Sequence, residues 1–477
     1  MSRYDHVQKS DSGFIVIDTR KKWFNIAALL LCFIFLISIK YMVNQPATGD
    51  EPHYLIMDYS IVHDKDLSLA NNYDHYTPIG GGYYWLSYQG WPHVDAKYAN
   101  KQYSVHGIGL PIIILPGFFI GKYSGVVFES VLIATFVIFL TWVWTLMITK
   151  NRNMAYLASF LLVICYFFNT LAGAVYPDML MAALTLLVLI WIERYCNQQI
   201  HQFFIGLLLG ILILVHIKTM VLVIPAIIFL CWKTWKNDRK IPWPTILVTT
   251  IFVAYYFFTL HQWFGVWSLS QVEGGQKFNA SPKNNLTAML FDSNRGLLVY
   301  NPILLLLFIG LPLWFKKMSN SILLVLFLLG PSILLLLFIP NWNGSASPTG
   351  RYIIEFLPAF MPAVVFAVMA MKSMKERIII AFLSFITLII TIDATFNRFP
   401  EINNSILLPR PYLFQQIQQN TGFALDKYLP SYNNYTVLVL TNAYVKLALL
   451  YLFITSLIIY GIYLCGYSSR ISKYFKK

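Results

Sequence analysis

Long apolar runs separated by short basic segments recur along this 477-residue chain and constrain its fold more than any single motif. Phe24–Val43, Val126–Ile148 and Val445–Cys465 are mostly apolar, and about 20 such residues cross a hydrocarbon layer of about 30 Å. Charged residues make up only 12% of the chain and hydrophobic residues 57%, whereas a soluble domain carries about 25% charged residues. Phe24–Val43 follows Arg20, Lys21 and Lys22 in the manner of a signal sequence. Its apolar run is too long for that role and lacks a small-residue cleavage site, so it reads as a retained span. Twelve spans are predicted: 24–43, 125–148, 154–173, 179–195, 203–217, 219–232, 243–260, 296–315, 320–339, 353–371, 378–396 and 444–465. The fifth and sixth are the most interrupted, by His216, Lys218 and Pro225. The expected fold class is an all-α polytopic membrane protein of about twelve transmembrane helices. Long extracytoplasmic loops and interfacial helices in the first of them complete it.

Charge orients the spans. A cytoplasmic N-terminus puts the clusters Arg20-Lys21-Lys22, Lys233 to Lys240, Lys316-Lys317, Lys372 to Arg377 and Arg470 to Lys477 on the inner side, as the positive-inside bias requires. The net charge of +14 therefore reports topology and contact with anionic membrane lipids. The outer loops hold no basic stripe with interleaved stacking aromatics, which argues against nucleic acid as a partner. The expected organisation is a cytoplasmic N-terminus (1–23) and a transmembrane region (24–396) with outer loops 44–123, 261–295 and 340–352. An extracytoplasmic loop (397–443) and a last span with a basic cytoplasmic tail (444–477) follow. Segment 106–122 is apolar but short and broken by Pro111 and Pro116, so it is predicted to lie in the interface or re-enter the membrane. Cys32, Cys165, Cys196, Cys231 and Cys465 fall in or beside spans, so no disulfide framework is expected. The chain has no Walker loop, no HExxH and no nucleotide-binding GxGxxG, so a cytoplasmic nucleotide sugar would be an unsuitable donor if the chain is a transferase.

Chemistry-bearing residues concentrate outside. The first outer loop holds Asp50, Glu51, Asp58, Asp64, Asp66, Asp74 and Asp95, with His53, His63, His75, His93, His106 and many tyrosines. Carboxylate, imidazole and phenol together suit sugar hydroxyls, sugar rings and a phosphate. Asp50 and Glu51 follow the first span closely, which restricts them to the membrane surface. Asp178, in Tyr176-Pro177-Asp178 between spans three and four, is either functional or a cap on the helix it opens. Arg351, in Gly350-Arg351-Tyr352, can clamp a phosphate with two parallel hydrogen bonds or snorkel beside Tyr352. Arg295 presents the same two options. The first-loop histidines lack zinc spacing, and no cofactor is required. A divalent cation, magnesium or manganese, on Asp50, Glu51 and a phosphate is compatible with hard oxygen ligands.

Gly49-Asp50-Glu51-Pro52-His53-Tyr54-Leu55 after span one, Asp178 after span three, Asp292 to Pro302, and the run from Trp342 through Gly350-Arg351-Tyr352 to Leu357-Pro358 together resemble the GT-C superfamily. These are polytopic glycosyltransferases that use polyprenyl-phosphate sugars, among them protein O-mannosyltransferases and lipid A aminoarabinose transferases. The resemblance covers roughly residues 24–371, and the Gly-Asp-Glu motif is its most specific part. It implies a GT-C-like fold with Asp50 as general base toward the acceptor, Glu51 orienting it or holding a metal, and Asp178 shaping the same cavity. His53, Tyr54, His106, Arg295, Arg351 and Tyr352 would bind substrate, the cations and tyrosine stabilising the departing phosphate. The implied partners are a polyprenyl-phosphate sugar donor, a glycolipid, lipopolysaccharide or protein acceptor, and membrane lipids. The implied place is the bacterial cytoplasmic membrane, with the site facing the periplasm or cell exterior. Two other classes share features with this chain: a lipid-sugar polymerase or O-antigen ligase, and a secondary transporter or flippase. The ligases concentrate function in a late outer loop with arginine and histidine, but loop 397–443 has no histidine. Transporters place ionisable groups at the midplane within repeats, and no repeat relates the two halves here.

Overall fold

The computed structural model describes residues 19–43, 47, 49–74, 103–268, 282–292, 296–339, 350–396, 412–422, 432–433, 437–438 and 443–474. Helix α1 (Thr19–Val43) is followed by α2 (Glu51–Tyr59), which runs into a π-helical turn over Ser60–Asp64, and by α3 (Ala70–Asp74). Then come α4 (Gly109–Thr149), α5 (Arg152–Val163), α6 (Tyr166–Leu171), α7 (Pro177–Tyr195), α8 (Gln199–Val215), α9 (Met220–Asp238) and α10 (Trp243–Phe264). Later helices include Leu306–Lys317, Ser319–Phe338, Leu357–Ala370, Met374–Phe396 and Ala443–Tyr474. The one sheet among the described residues is a two-residue antiparallel pair, Tyr432–Asn433 with Val437–Leu438. All five cysteines are free thiols.

The pattern of burial is that of a protein whose solvent is lipid. Helix α10 buries Thr245 and Thr249 and exposes Leu247, Ile251 and Phe258. Water would reverse that preference; in a bilayer, helices associate instead through close packing and interhelical hydrogen bonds. Here Thr245 Oγ1 donates to the Gln202 carbonyl of α8 at 2.6 Å. The approach depends on Gly206 and Gly210, a small-xxx-small pair on the facing side of α8. A Cβ on Gly206 would stand 2.9 Å from the Thr245 backbone oxygen. Gly206→Leu is therefore expected to destabilise the fold by roughly 1–3 kcal/mol, the cost of forcing extra methylenes into a packed contact. A melting temperature in detergent equal to that of the parent would contradict this.

Four described helices are long and apolar enough to cross a membrane: Gly109–Thr149, Ile217–Asp238, Trp243–Phe264 and Asn320–Phe338. Shorter apolar helices occupy Ile26–Ser38, Gln199–Val215, Leu357–Ala370 and Leu449–Cys465. Several predicted spans are broken helices. Span 154–173 divides at Ile164 and Cys165, where the Ile164 carbonyl accepts from Thr391 Oγ1 at 2.6 Å. Span 296–315 divides at Asn301, because Pro302 has no N–H and disfavours helical backbone in the residue before it. Span 353–371 begins late, since Glu355 and Phe356 separate a short turn, Arg351–Ile354, from Leu357–Ala370. Between α8 and α9 the helix unwinds at His216–Thr219, while it passes through Pro225. Segment 106–122 is largely helical, joined to the next span across non-helical Gly121 and Lys122. The chain reverses there: the Gly117 N–H donates to Glu129 Oε2 at 2.8 Å, and Gly117 lies against Gly125. The outcome is a helical hairpin with exposed Phe119 and Ile120 near its tip.

Candidate active site

Four chain breaks converge on one cluster of charge. At the start of α2, Asp50 is the N-cap, and its carbonyl accepts from the N–H groups of His53 and Tyr54 at 3.1 and 3.3 Å. Glu51 is fully buried, and its Oε1 accepts from the Val175 N–H at 2.7 Å. That bond ties the head of α2 to the turn that opens α7. Two residues after that turn begins, Pro177 starts α7 with its ring at a position where no N–H is needed. Asp178 follows, with no exposed surface.

The N-cap of α7 is Tyr176, and Asp178 stands inside the first turn. Its Oδ2 accepts from Arg351 Nε at 2.9 Å and its Oδ1 from Lys218 Nζ at 3.1 Å. The capping alternative is thereby set aside. Arg351 also donates from Nη1 to Asp50 Oδ2 at 2.5 Å. Only 5% of Arg351 is exposed, so it does not snorkel. Its guanidinium lies 4.6 Å from the Tyr176 ring centroid and 5.4 Å from that of Tyr352. Gly350 turns the chain into this position with φ +76°, and a Cβ there would fall 2.1 Å from the Phe167 ring. Lys218 rises from the unwound turn between α8 and α9, its N–H bonded to His216 Nδ1 at 3.2 Å. Its ammonium sits 4.6 Å from the Tyr352 centroid and 3.4 Å from Glu355 Oε2.

The ion pairs thus run Asp50–Arg351–Asp178–Lys218–Glu355, three carboxylates against two cations. Burying such a chain is costly unless every member is paired, and here the pairing is continuous. The Asp50 end is the accessible one: its side chain is 20% exposed while that of Asp178 is 0%. Tyr54 lies beside this end. Its buried hydroxyl has no hydrogen-bond partner among the described residues. Burial, reinforced by the Asp50 charge and partly offset by Arg351, holds the phenol well above its usual pKa. His106 stacks near Tyr54 and His53, with centroids at 4.9 and 5.8 Å. Next to His106 and His216 a cleft opens between the 104–108 segment and α10, where Tyr255, Tyr256, Trp263 and Phe264 line it.

The sequence-predicted residues Asp50, Asp178, Arg351 and Tyr352 meet in this cluster, with Glu51, His53, Tyr54 and His106 around it. Arg295 lies outside the described residues, as does most of loop 397–443. Arg351 is not a cation waiting for phosphate, as the sequence alone suggests, but one held by two carboxylates. The Asp50–Glu51 pair also diverges: one carboxylate takes Arg351 and the other a backbone N–H. No group of three or more His, Cys, Asp or Glu side chains among the described residues is arranged to hold a metal ion. Asp58, about two turns further along α2, is buried, and neither side-chain oxygen has a hydrogen-bond partner among the described residues. Burial first, and Glu129 second, raise its carboxyl well above the usual range, which sets it apart from the cluster.

Lys218 and Glu355 are the members that sequence reasoning did not assign. A lysine between two apolar runs and a glutamate four residues after Arg351 are ionisable groups at membrane depth, and that alone marks functional candidates.

With helices and cluster in place, residues 117–260 match the dolichyl-phosphate-mannose-protein mannosyltransferase family. The matched stretch contains Asp178 and Lys218. The match takes in only part of the chain, and the long apolar helices mark the chain as a multi-pass membrane protein. No curated protein sequence matches the chain. Solved structures similar to it include ArnT from Cupriavidus metallidurans bound to undecaprenyl phosphate, at 11% identity, covering 81% of this chain and 74% of that one, with a TM-score of 0.44. The apo state of that protein gives 12% identity, 77% and 64% coverage, and a TM-score of 0.47. The Archaeoglobus fulgidus oligosaccharyltransferase gives 14% identity, 89% and 61% coverage, and 0.42.

Proposed function

We propose that this protein is an inverting glycosyltransferase that moves a sugar from a polyprenyl-phosphate carrier to an acceptor outside the cytoplasm. The acceptor is a glycolipid, a lipopolysaccharide or a protein. The chain crosses the bacterial cytoplasmic membrane about twelve times, with the Asp50 cluster on the periplasmic or outer side. One observation carries the reading: a buried carboxylate, Asp178, holds two cations side by side, and one of these cations also restrains the accessible carboxylate Asp50.

The reaction follows from that arrangement. An incoming lipid-linked phosphate competes with the carboxylates for Arg351 and Lys218, and a guanidinium suits a phosphate in bidentate geometry. When Arg351 turns to the phosphate, Asp50 loses its ion-pair partner and becomes the stronger base. The acceptor hydroxyl or amine attacks the anomeric carbon, and Asp50 takes its proton. The bond from that carbon to the phosphate oxygen breaks, and polyprenyl phosphate leaves with the electron pair, stabilised by Arg351 and Lys218. One displacement inverts the anomeric centre. Tyr54, His53, His106 and Tyr352 border the sugar and phosphate positions.

Two fixed cations already supply positive charge at the leaving phosphate, so the transfer runs without a resident metal. Activity of purified protein is expected to survive EDTA within about twofold; restoration of a lost rate by magnesium or manganese would place a metal in the site. The function itself is tested by incubating purified protein with polyprenyl-phosphate sugars and envelope extracts, then identifying the glycosylated product by mass spectrometry. An inverted linkage on an extracytoplasmic acceptor is the expected result. Carrier-linked sugar left intact with every acceptor, alongside measurable lipid or solute movement, would favour a transporter.

A further inference from the structure

Lys218 has two carboxylate partners, and they are not equivalent. Asp178 stays compensated by Arg351 when Lys218 departs, because Arg351 Nε holds its other oxygen at 2.9 Å. Glu355 has no such second cation; among the described residues Lys218 is its only ion-pair partner, at 3.4 Å. Glu355 is placed by the break between Arg351–Ile354 and Leu357–Ala370. One short segment therefore presents Arg351 on the near side of Asp178 and Glu355 on the far side of Lys218. Behind that far side lies a small, mostly apolar gap bordered by Lys218, Glu355, Thr185, Thr219 and Ser332.

The geometry points to Glu355 as a positioning residue that anchors Lys218 while Asp178 exchanges it for the lipid-linked phosphate. The inference rests on the transferase reading of the site. Without the Glu355 charge, Lys218 is left with Asp178 alone. The two then close on each other, and the lysine is withdrawn from an incoming phosphate. An aspartate at this position restores the charge but shortens the reach. Glu355 touches neither sugar nor phosphate in this scheme and acts through the position of Lys218.

Undecaprenyl phosphate titrated into the full chain in nanodiscs, with the bound fraction read by native mass spectrometry, tests the assignment. Glu355→Gln is expected to weaken binding about tenfold or more, the scale of one charge-assisted hydrogen bond, with Glu355→Asp between it and the parent. Lys218→Gln also weakens binding, and adding Glu355→Gln to it produces no further loss. Parent-like affinity in Glu355→Gln overturns the proposal, as does an independent additional loss in the double variant. Should Glu355→Gln fail to fold, Glu355→Asp decides: undiminished affinity there overturns it equally. A monodisperse parent protein that binds no undecaprenyl phosphate removes the transferase reading and this inference with it. A parent that binds, beside an unaffected Glu355 series, removes the inference alone.

Discussion

Asp50→Asn is expected to abolish sugar transfer while leaving the protein folded and able to bind its lipid donor. Loss of a general base costs about 10²–10⁴-fold in rate. The amide keeps the shape of the side chain, and Asp50 is the exposed end of the cluster, with 20% side-chain accessibility. The charge count sharpens the expectation. Three carboxylates face two cations in the parent, so removing the Asp50 charge leaves two against two. The variant should therefore be no less stable than the parent. It should bind the donor about as tightly as the parent, because Asp178 still anchors Arg351 through Nε at 2.9 Å. The loss falls on kcat and not on KM. Retention of more than about a tenth of the parent rate, or a matched loss of donor affinity, would take the base assignment away from Asp50.

The opposite substitution has the opposite signature. Arg351→Ala leaves three carboxylates and one cation in a site where Asp178 has no exposed surface. Breaking a buried pair by removing one partner typically costs about 3–5 kcal/mol, since the remaining charge is uncompensated. The variant should melt at a clearly lower temperature and lose donor binding as well as rate. Adding Asp50→Asn to it removes one of the uncompensated charges, so the double variant is expected to be more stable than Arg351→Ala alone. Additive destabilisation in that cycle, measured by thermal melting in detergent, would mean that Asp50 and Arg351 do not interact.

These two predictions depend on contacts between residues 301 positions apart in the chain, and the legibility of the fold divides along that line. What local sequence governs was readable. Apolar runs and basic clusters announced a polytopic helical protein, and the Gly49–Leu55 motif pointed to Asp50. Pro177 and the outer turn flagged Asp178, and the Gly350-Arg351-Tyr352 run flagged Arg351. What depends on where separate breaks meet was not readable. Lys218 looked like an interruption of a weak span, yet the unwinding at His216–Thr219 delivers it to Asp178. Glu355 looked like part of a span, yet the interruption before Leu357 turns it toward Lys218. Glu51 seemed a partner for Asp50 in chemistry, but the backbone N–H of Val175 recruits it to hold two turns together. Apolar pattern does not encode helix breaks inside the membrane, because the groups freed at each break are satisfied by neighbours remote in sequence.

The central claim is that a lipid-linked phosphate displaces carboxylates from Arg351 and Lys218 and thereby frees Asp50. An electron cryomicroscopy structure of the full chain in nanodiscs with undecaprenyl phosphate tests it most directly. Phosphate density within hydrogen-bond distance of both Arg351 and Lys218, with the Asp50–Arg351 contact opened, is the result predicted. Bound phosphate elsewhere, or the Asp50–Arg351 pair intact beside it, would contradict the account.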